Sequence, residues 1–201
     1  MVETLSLFGA ETSASELYTK LYEKSLEGDA DCGGILVCNY LAGEGVTHLD
    51  EGRPFVVRNA ESKFSLAKFL RATIYSAMVT LKIGMKILEE EKVEIKSLTA
   101  HGGLFKTPVV GQKYMAAACK APVIVMKTAG EGGPFGMALL AAYAAQRREN
   151  ESLEQYLATR AFQNADAKIL EPDEADMAGF DAYTERFIKL LAVEKSAIEN
   201  I

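Results

Sequence analysis

The residues with the clearest chemical potential form two glycine clusters, each preceded by a short apolar run and followed by a proline. Gly102-Gly103 stands before Pro108, and Gly130, Gly132 and Gly133 stand before Pro134. A glycine turn that opens a helix presents free backbone N–H groups and the positive end of the helix dipole to an anion. Two such turns in succession predict a site for phosphate groups. Thr107 suits the N-cap of the first helix. Proline suits the first helical position, where its missing N–H would be unpaired anyway. The competing reading of Gly102-Gly103 is a tight strand-to-helix turn with no ligand. For Gly132, Gly133 and Gly136, close packing of helix on sheet is the preferred role. Lys106 is placed either to meet a phosphate as a point charge or to sit in solvent. His101 reads as a structural hydrogen-bonding residue rather than a catalytic one.

Such turns need strands to lead into them. Leu98–Ala100 and Val123–Met126 are apolar runs of the kind a sheet buried on both faces produces. The order is therefore strand, turn, helix, strand, turn, helix, with a parallel, right-handed crossover. Upstream, Val2–Phe8 alternates and predicts a strand ending at Gly9. Thr12, Ser13 and Ser15 offer N-caps for a helix through about Leu26. Ile35–Tyr40 reads as a buried strand and Phe55–Arg58 as a brief second one. A long amphipathic helix is predicted from Ser65 to Glu90, with Leu66, Phe69, Leu70, Ile74, Met78, Leu81, Met85 and Leu88 on one stripe. Gly84 within it would allow close packing. Beyond Ala145 the pattern predicts a short helix over Ser152–Phe162 capped by Ser152, a connector over Lys168–Asp173, and a helix over Met177–Val193. With no repeat and no interdomain linker, residues 1–201 read as one domain, its core at about 1–148 and a helical tail at about 149–201.

The formal charge of −6 argues against a broad nucleic-acid or acidic-membrane surface. The three cysteines, Cys32, Cys38 and Cys119, have no metal-ligand spacing, and there are only two histidines, so no metal site is assigned. Cys119 is read as a small buried hydrophobe. No apolar run reaches the roughly 18–20 residues a bilayer demands, and the N-terminal residues carry no basic stretch of a secretory signal. A cytoplasmic location is expected. The loop Leu41–Arg53 holds Glu44, His48 and Asp50, which suggest acid–base work or a metal. Against this, one loop rarely supplies a whole site.

In combination, three segments resemble the C-terminal half of the FGGY carbohydrate kinases, especially the xylulokinase and ribulokinase branches. NYLAGEGVTHLD, from Asn39 to Asp50, is similar to the family's Tyr-Leu-x-Gly-Glu-Arg-Thr-Pro-His-x-Asp. The long helix after Phe55 is the second segment. HGGLFKTP followed by APVIVMKTAGEGGPFGMALLAAY is similar to its Gly-Gly-Gly-Ala-Lys-Ser-Pro turn, strand, and Glu-Gly-Gly/Ala-x-Gly-Ala-Ala-Leu-Leu-Ala helix. The resemblance covers about Gly34 to Ala145, and the order of the motifs makes it specific. It implies an α/β, actin-like ATPase (ribonuclease H-like) lobe: a mixed sheet flanked by helices, with a C-terminal helical tail. ATP with Mg²⁺ would phosphorylate a hydroxyl of a keto-pentose such as xylulose.

By residue match, Gly102, Gly103 and Leu104 correspond to the turn contacting nucleotide phosphate and ribose, with Thr107 beside it. Gly9 falls where the family places a further adenosine contact. There are departures: Leu104 stands for the third glycine, Gly45 for the usual Arg and Thr47 for the usual Pro. The family's Asp-x-Gly-Thr loop and catalytic aspartate do not occur in these residues. No catalytic residue is therefore assigned here; it is expected on the N-terminal lobe of the same enzyme, and this chain alone is expected to be an inactive fragment. Sugar and ATP are the implied partners, not nucleic acid or membrane, and a homodimer is compatible with the sequence. A stand-alone nucleotide-binding or sensory module, a ribulokinase or other sugar kinase of the family, and an interaction domain whose glycines only pack are the alternatives.

Overall fold

Short polar side chains set the helix starts. Ser13 accepts a hydrogen bond from the Glu16 N–H (3.1 Å) and opens α1, Ala14–Ser25. Ser65 accepts from Lys68 N–H (3.3 Å) and opens α2, Leu66–Gly84. Each such cap satisfies an N–H that the first helical turn leaves unpaired. The computed structural model describes residues 5, 7, 9, 11–128, 130, 132–163 and 166–201. Of the strand expected over Val2–Phe8, residues Val2, Glu3, Thr4, Ser6 and Phe8 lie outside that description, while Leu5 and Leu7 are helical. A seven-residue alternation is too short to separate the two periods. α2 stops at Gly84, and Met85 joins it to a short α3, Lys86–Glu90, so the long predicted helix is broken near its end. A side chain at Gly84 would meet Val46 at an ordinary 3.6 Å, which is not the close packing expected there.

Two small sheets accompany these helices. β1 (Ile35–Cys38) pairs antiparallel with β2 (Phe55–Arg58), Ile35 opposite Arg58. β3 (Leu98–Ala100) and β4 (Val123–Met126) run parallel, joined by α4, Val110–Cys119. On the far side of β4 lies β5 (Ala167–Leu170), antiparallel, with Val123 opposite Leu170. The mixed sheet thus includes a strand in the segment read as a connector. Ala167-Lys168-Ile169-Leu170 carries no buried apolar run, and only its pairing with β4 makes it a strand. The sheet is also less enclosed than its apolar residues imply: Val123 is buried, but Ile124, Val125 and Met126 are half-buried and most of β5 is exposed.

After β4 comes α5, Gly132–Gln146, then α6, Leu153–Tyr156, which runs into a wide turn through Ala161. Ser152 caps α6 as expected, in a reciprocal box with Gln155. α7, Glu174–Asn200, closes the chain and is capped by Asp173. It extends well beyond the predicted Met177–Val193. Its Phe180, Tyr183 and Phe187 are fully buried in the main core with Tyr75 of α2, Tyr114 of α4 and Ile35 of β1. The Tyr75 ring lies 5.2 Å from Tyr114 and 5.3 Å from Tyr183, within the range of favourable aromatic pairs, and 4.4 Å from Phe180, at its near edge. α7 is therefore part of what holds α2 and α4 in place.

A buried ion cluster crosses the same contact. Arg71 donates to the Tyr75 hydroxyl (3.0 Å) and the Gly28 carbonyl (2.9 Å), and pairs with one oxygen of Asp176. Lys113 pairs with the other. Burial pushes the Asp176 carboxyl up, but the hydrogen bonds from Lys113 and Arg71 outweigh it and hold the group below the ordinary carboxylate range. α2, α4 and α7 are thereby tied together, and α4 is the helix behind the first glycine turn.

Candidate nucleotide site

Ligands of α/β sheets gather at the carboxyl ends of parallel strands. Here those ends are Ala100 and Met126, and each leads into one of the glycine turns. Gly102 has φ 112° and ψ −180°, a conformation essentially reserved to glycine. Gly103–Lys106 then forms one tight helical turn whose start no side chain caps. A Cβ added at Gly102 or Gly103 would meet nothing within 4 Å. These glycines are thus not packed against the protein. They leave open space next to main-chain N–H groups, the arrangement an anion or a ribose needs.

The rest of the turn differs from expectation. Thr107 does not cap α4. The Val110 N–H donates to the Pro108 carbonyl at 2.9 Å around Val109, whose φ of 72° and ψ of −47° make this a γ-turn. The helix starts only at Val110, so Pro108 precedes it, and no side chain caps it. A one-residue reversal of this kind has no signature in residue type, and a β-branched valine is the last residue to suggest it. Thr107 is instead buried and lines a cavity of about 370 Å³. Leu104 turns inward: a Cβ at Gly111 would lie 2.9 Å from its Cγ. Leu104 therefore anchors the turn to α4, and its replacement of a glycine is matched by the glycine at 111.

The two turns lie side by side, because a Cβ at Gly130 would be 3.1 Å from the Lys106 side chain. Gly132 packs closely, as read: its Cβ would fall 2.5 Å from the His101 ring. Gly133 and Gly136 do not pack, with nothing within 4 Å of either. Between α5 and the sheet lies a cavity of about 160 Å³ lined by Met126, Gly132, Gly136 and Phe162, so helix and sheet stand apart there. Gly9 has φ 72° and open space around it; its neighbours Phe8 and Ala10 lie outside the described residues.

The Leu41–Arg53 loop is braced from within. Glu44 accepts from the Val46 N–H at 3.0 Å, and its backbone pairs with Leu49. A Cβ at Gly43 would be 2.5 Å from the Asp50 carbonyl, and one at Gly52 2.3 Å from that of Tyr40. Its end is held by Glu194, a fully buried residue of α7 that accepts from the Arg53 N–H at 2.6 Å. Sequence reasoning missed Glu194, which sits in a charged, helical stretch with nothing to distinguish it. Among the described residues, no group of three or more His, Cys, Asp or Glu is arranged to hold a metal ion. Burial pushes the Cys32 thiol up to about 12 and those of Cys38 and Cys119 up to about 11, so all three are inert thiols, Cys119 as expected. No described helix is long and apolar enough to cross a membrane.

Residues 2–145 match the model of the FGGY family of carbohydrate kinases, C-terminal domain. No match to a curated protein was found. Among solved structures, the xylulose kinase of Rhodospirillum rubrum superposes with a TM-score of 0.66 at 16% identity, over 96% of this chain and 36% of that one. The ligand-bound xylulose kinase of Lactobacillus acidophilus gives 0.66 at 21% identity, over 88% of this chain and 35% of that one. The Plasmodium falciparum glycerol kinase solved with ADP gives 0.61 at 15% identity, over 94% and 36%. The fold is thus the actin-like ATPase fold of these kinases, and the chain spans little more than a third of their length. With the family model covering most of its residues, this chain belongs to the FGGY family of carbohydrate kinases, of which it carries the C-terminal domain.

Proposed function

We propose that this chain is the ATP-holding half of a two-lobed sugar kinase that transfers the γ-phosphate of ATP to a hydroxyl of a keto-pentose such as xylulose. The observation that carries the reading is Gly102, held at φ 112° with open space around it and around Gly103, at the carboxyl end of a parallel strand. Main-chain N–H groups of Gly102, Gly103 and Leu104 would meet the phosphates and ribose. Thr107 would offer a hydroxyl beside them, and the turn at Gly9 a further contact to the nucleoside. Leu104, seated on Gly111, and the Arg71–Asp176–Lys113 cluster behind α4 keep the turn from moving as charge builds on the phosphates.

Phosphoryl transfer also requires a base for the sugar hydroxyl and Mg²⁺ on the phosphates. The N-terminal lobe of the same cytoplasmic enzyme would supply the base and the metal ligands. The choice of xylulose rests on the motif resemblance and on the xylulose kinases among the structural relatives. A gluconate kinase also shares the fold, at a TM-score of 0.65, so the acceptor is to be read by assay of the two-lobed enzyme against both sugars.

The test is titration of the chain with ADP, followed by amide chemical shifts. Shifts at Gly102, Gly103 and Leu104 are expected, with affinity at least tenfold weaker in Gly102→Val while the circular dichroism stays unchanged; a tenfold loss corresponds to about 1.4 kcal/mol. Shifts elsewhere only, or equal affinity in the variant, would overturn the reading. The chain alone should phosphorylate no pentulose.

A further inference from the structure

We propose that the second glycine cluster is the seat of the first glycine turn, and that His101 and Lys106, on either side of Gly102–Phe105, are positioning residues that hold the turn on it. The proposal rests on the nucleotide reading and adds what keeps the N–H groups of Gly102, Gly103 and Leu104 in place. His101, expected from the sequence to be a hydrogen-bonding residue, makes no side-chain hydrogen bond or ion pair within the described residues. Its ring is held by contact instead. A Cβ at Gly132 would fall 2.5 Å from its Nδ1, 2.6 Å from its Cγ and 2.8 Å from its Cβ. At the other end of the turn, a Cβ at Gly130 would lie 3.1 Å from Cε of Lys106 and 3.3 Å from its Cγ.

The turn needs support from outside itself. Gly102 and Gly103 carry no side chain, nothing lies within 4 Å of a Cβ at either, and no side chain caps the short turn that follows. Glycines so placed leave the backbone free to swing. Leu104, seated on Gly111, fixes the turn from the α4 side. His101 adjoins Gly102 in the chain and fixes it from the α5 side. The match is selective. Gly133 and Gly136 of α5 meet nothing within 4 Å, and the cavity of about 160 Å³ holds that helix off the sheet near Met126. Gly130 and Gly132 alone of these four glycines receive side chains that flank the first turn. A seat requires that selectivity, whereas general packing of helix on sheet does not.

The distances set the size of the effect. The His101 Cβ, unlike the tip of a flexible side chain, cannot swing aside from a methyl at Gly132. Carbon atoms settle about 3.5–4.0 Å apart, so that methyl would drive the two turns apart by roughly 0.7 Å or more. A shift of that order in groups that converge on one ligand costs about tenfold to a hundredfold. A methyl at Gly130 meets only the stem of Lys106, which can bend away, and costs less.

The experiment uses the whole chain, with amide shifts recorded first without ligand and then with ADP. Gly132→Ala is expected to move the Gly102, Gly103 and Leu104 amides of the ligand-free chain and to weaken ADP about tenfold. Its melting temperature should not fall, because alanine suits a helix better than glycine. Gly136→Ala, in the same helix, should leave the turn amides and the ADP affinity unchanged. His101→Gly/Gly132→Ala gives the new methyl room and should bring ADP affinity back to within about threefold of the natural chain, a rescue that a merely structural role would not produce. Should Gly132→Ala not fold, His101→Ala, at an exposed position, must by itself weaken ADP several-fold and loosen the Gly102 and Gly103 amides on the nanosecond timescale. Unmoved turn amides in Gly132→Ala, equal shifts in Gly136→Ala, or a double variant no better than Gly132→Ala would each overturn the proposal. Failure of ADP to bind the natural chain would count against the nucleotide reading alone, since the ligand-free shifts still decide whether the seat exists.

Discussion

Asp176→Asn removes one charge from the buried cluster while keeping its shape. Arg71 is 2% exposed and Asp176 5%, so the substitution leaves a guanidinium in the core without its counter-ion. Breaking a buried pair on one side costs about 3–5 kcal/mol. Arg71 retains the Tyr75 hydroxyl, the Gly28 carbonyl and the faces of Tyr75 and Tyr114 at 5.2 and 4.9 Å, and Lys113 is partly exposed. The loss should therefore fall at the lower end, about 3 kcal/mol, or roughly 6–12 °C in melting temperature for a chain of this size. Urea unfolding at pH 7 measures it. The pH dependence follows from the depressed Asp176 carboxyl. Its contribution is complete above the unfolded aspartate value of about 3.9 and is lost as pH falls through the lower folded value. Acid should thus destabilise the natural chain more steeply than Asp176→Asn. Arg71→Met/Asp176→Leu, which empties both sides, should lie closer to the natural chain than either single change. A loss under about 1 kcal/mol at pH 7, parallel acid curves, or additive costs in the double variant would refute the reasoning.

The remaining predictions concern glycines, strain and thiols. Gly179→Ala would place a Cβ 2.4 Å from the Ala30 backbone, and should cost about 2 kcal/mol or more in urea unfolding. Gly136→Ala, inside α5 with open space around it, should instead stabilise by about 1 kcal/mol on the same assay. Val109→Gly should gain about 0.5–1 kcal/mol, since release from φ 72° outweighs the added freedom of the unfolded chain; a loss would mean the γ-turn is not strained. With all three thiols raised by burial, a disulfide reagent at pH 8 should modify the native chain only at its rate of opening, and all three cysteines at once in guanidinium.

What was legible in the chain was whatever residue type dictates locally. Ser13, Ser65 and Ser152 each begin a helix because a short hydroxyl can reach an N–H three residues on. β3 and β4 pair in parallel because a helix-length crossover separates two apolar runs. What depends on a distant partner was not legible. β5 is a strand because β4 offers its edge, and Glu194 matters because the Arg53 N–H arrives from 141 positions away. The depth of α7 was hidden for a related reason. Phe180, Tyr183 and Phe187 mark one apolar side, but only the aromatic rings of α2 and α4 place that side in the core.

The candidate site divides along the same line, and the division bears on its chemistry. Glycine types and their spacing located the turn, because φ 112° at Gly102 admits almost no other residue. Thr107 failed as a cap because Val109 reverses the chain before α4 begins. That reversal delays the helix start to Val110, past Gly102-Gly103, and leaves Thr107 lining the cavity behind the turn. The short turn of Gly103–Lys106 is left to serve the strand end alone. One loop therefore does two things: an uncapped glycine turn stands open at the strand end, and Leu104 seated on Gly111 fixes that turn to α4.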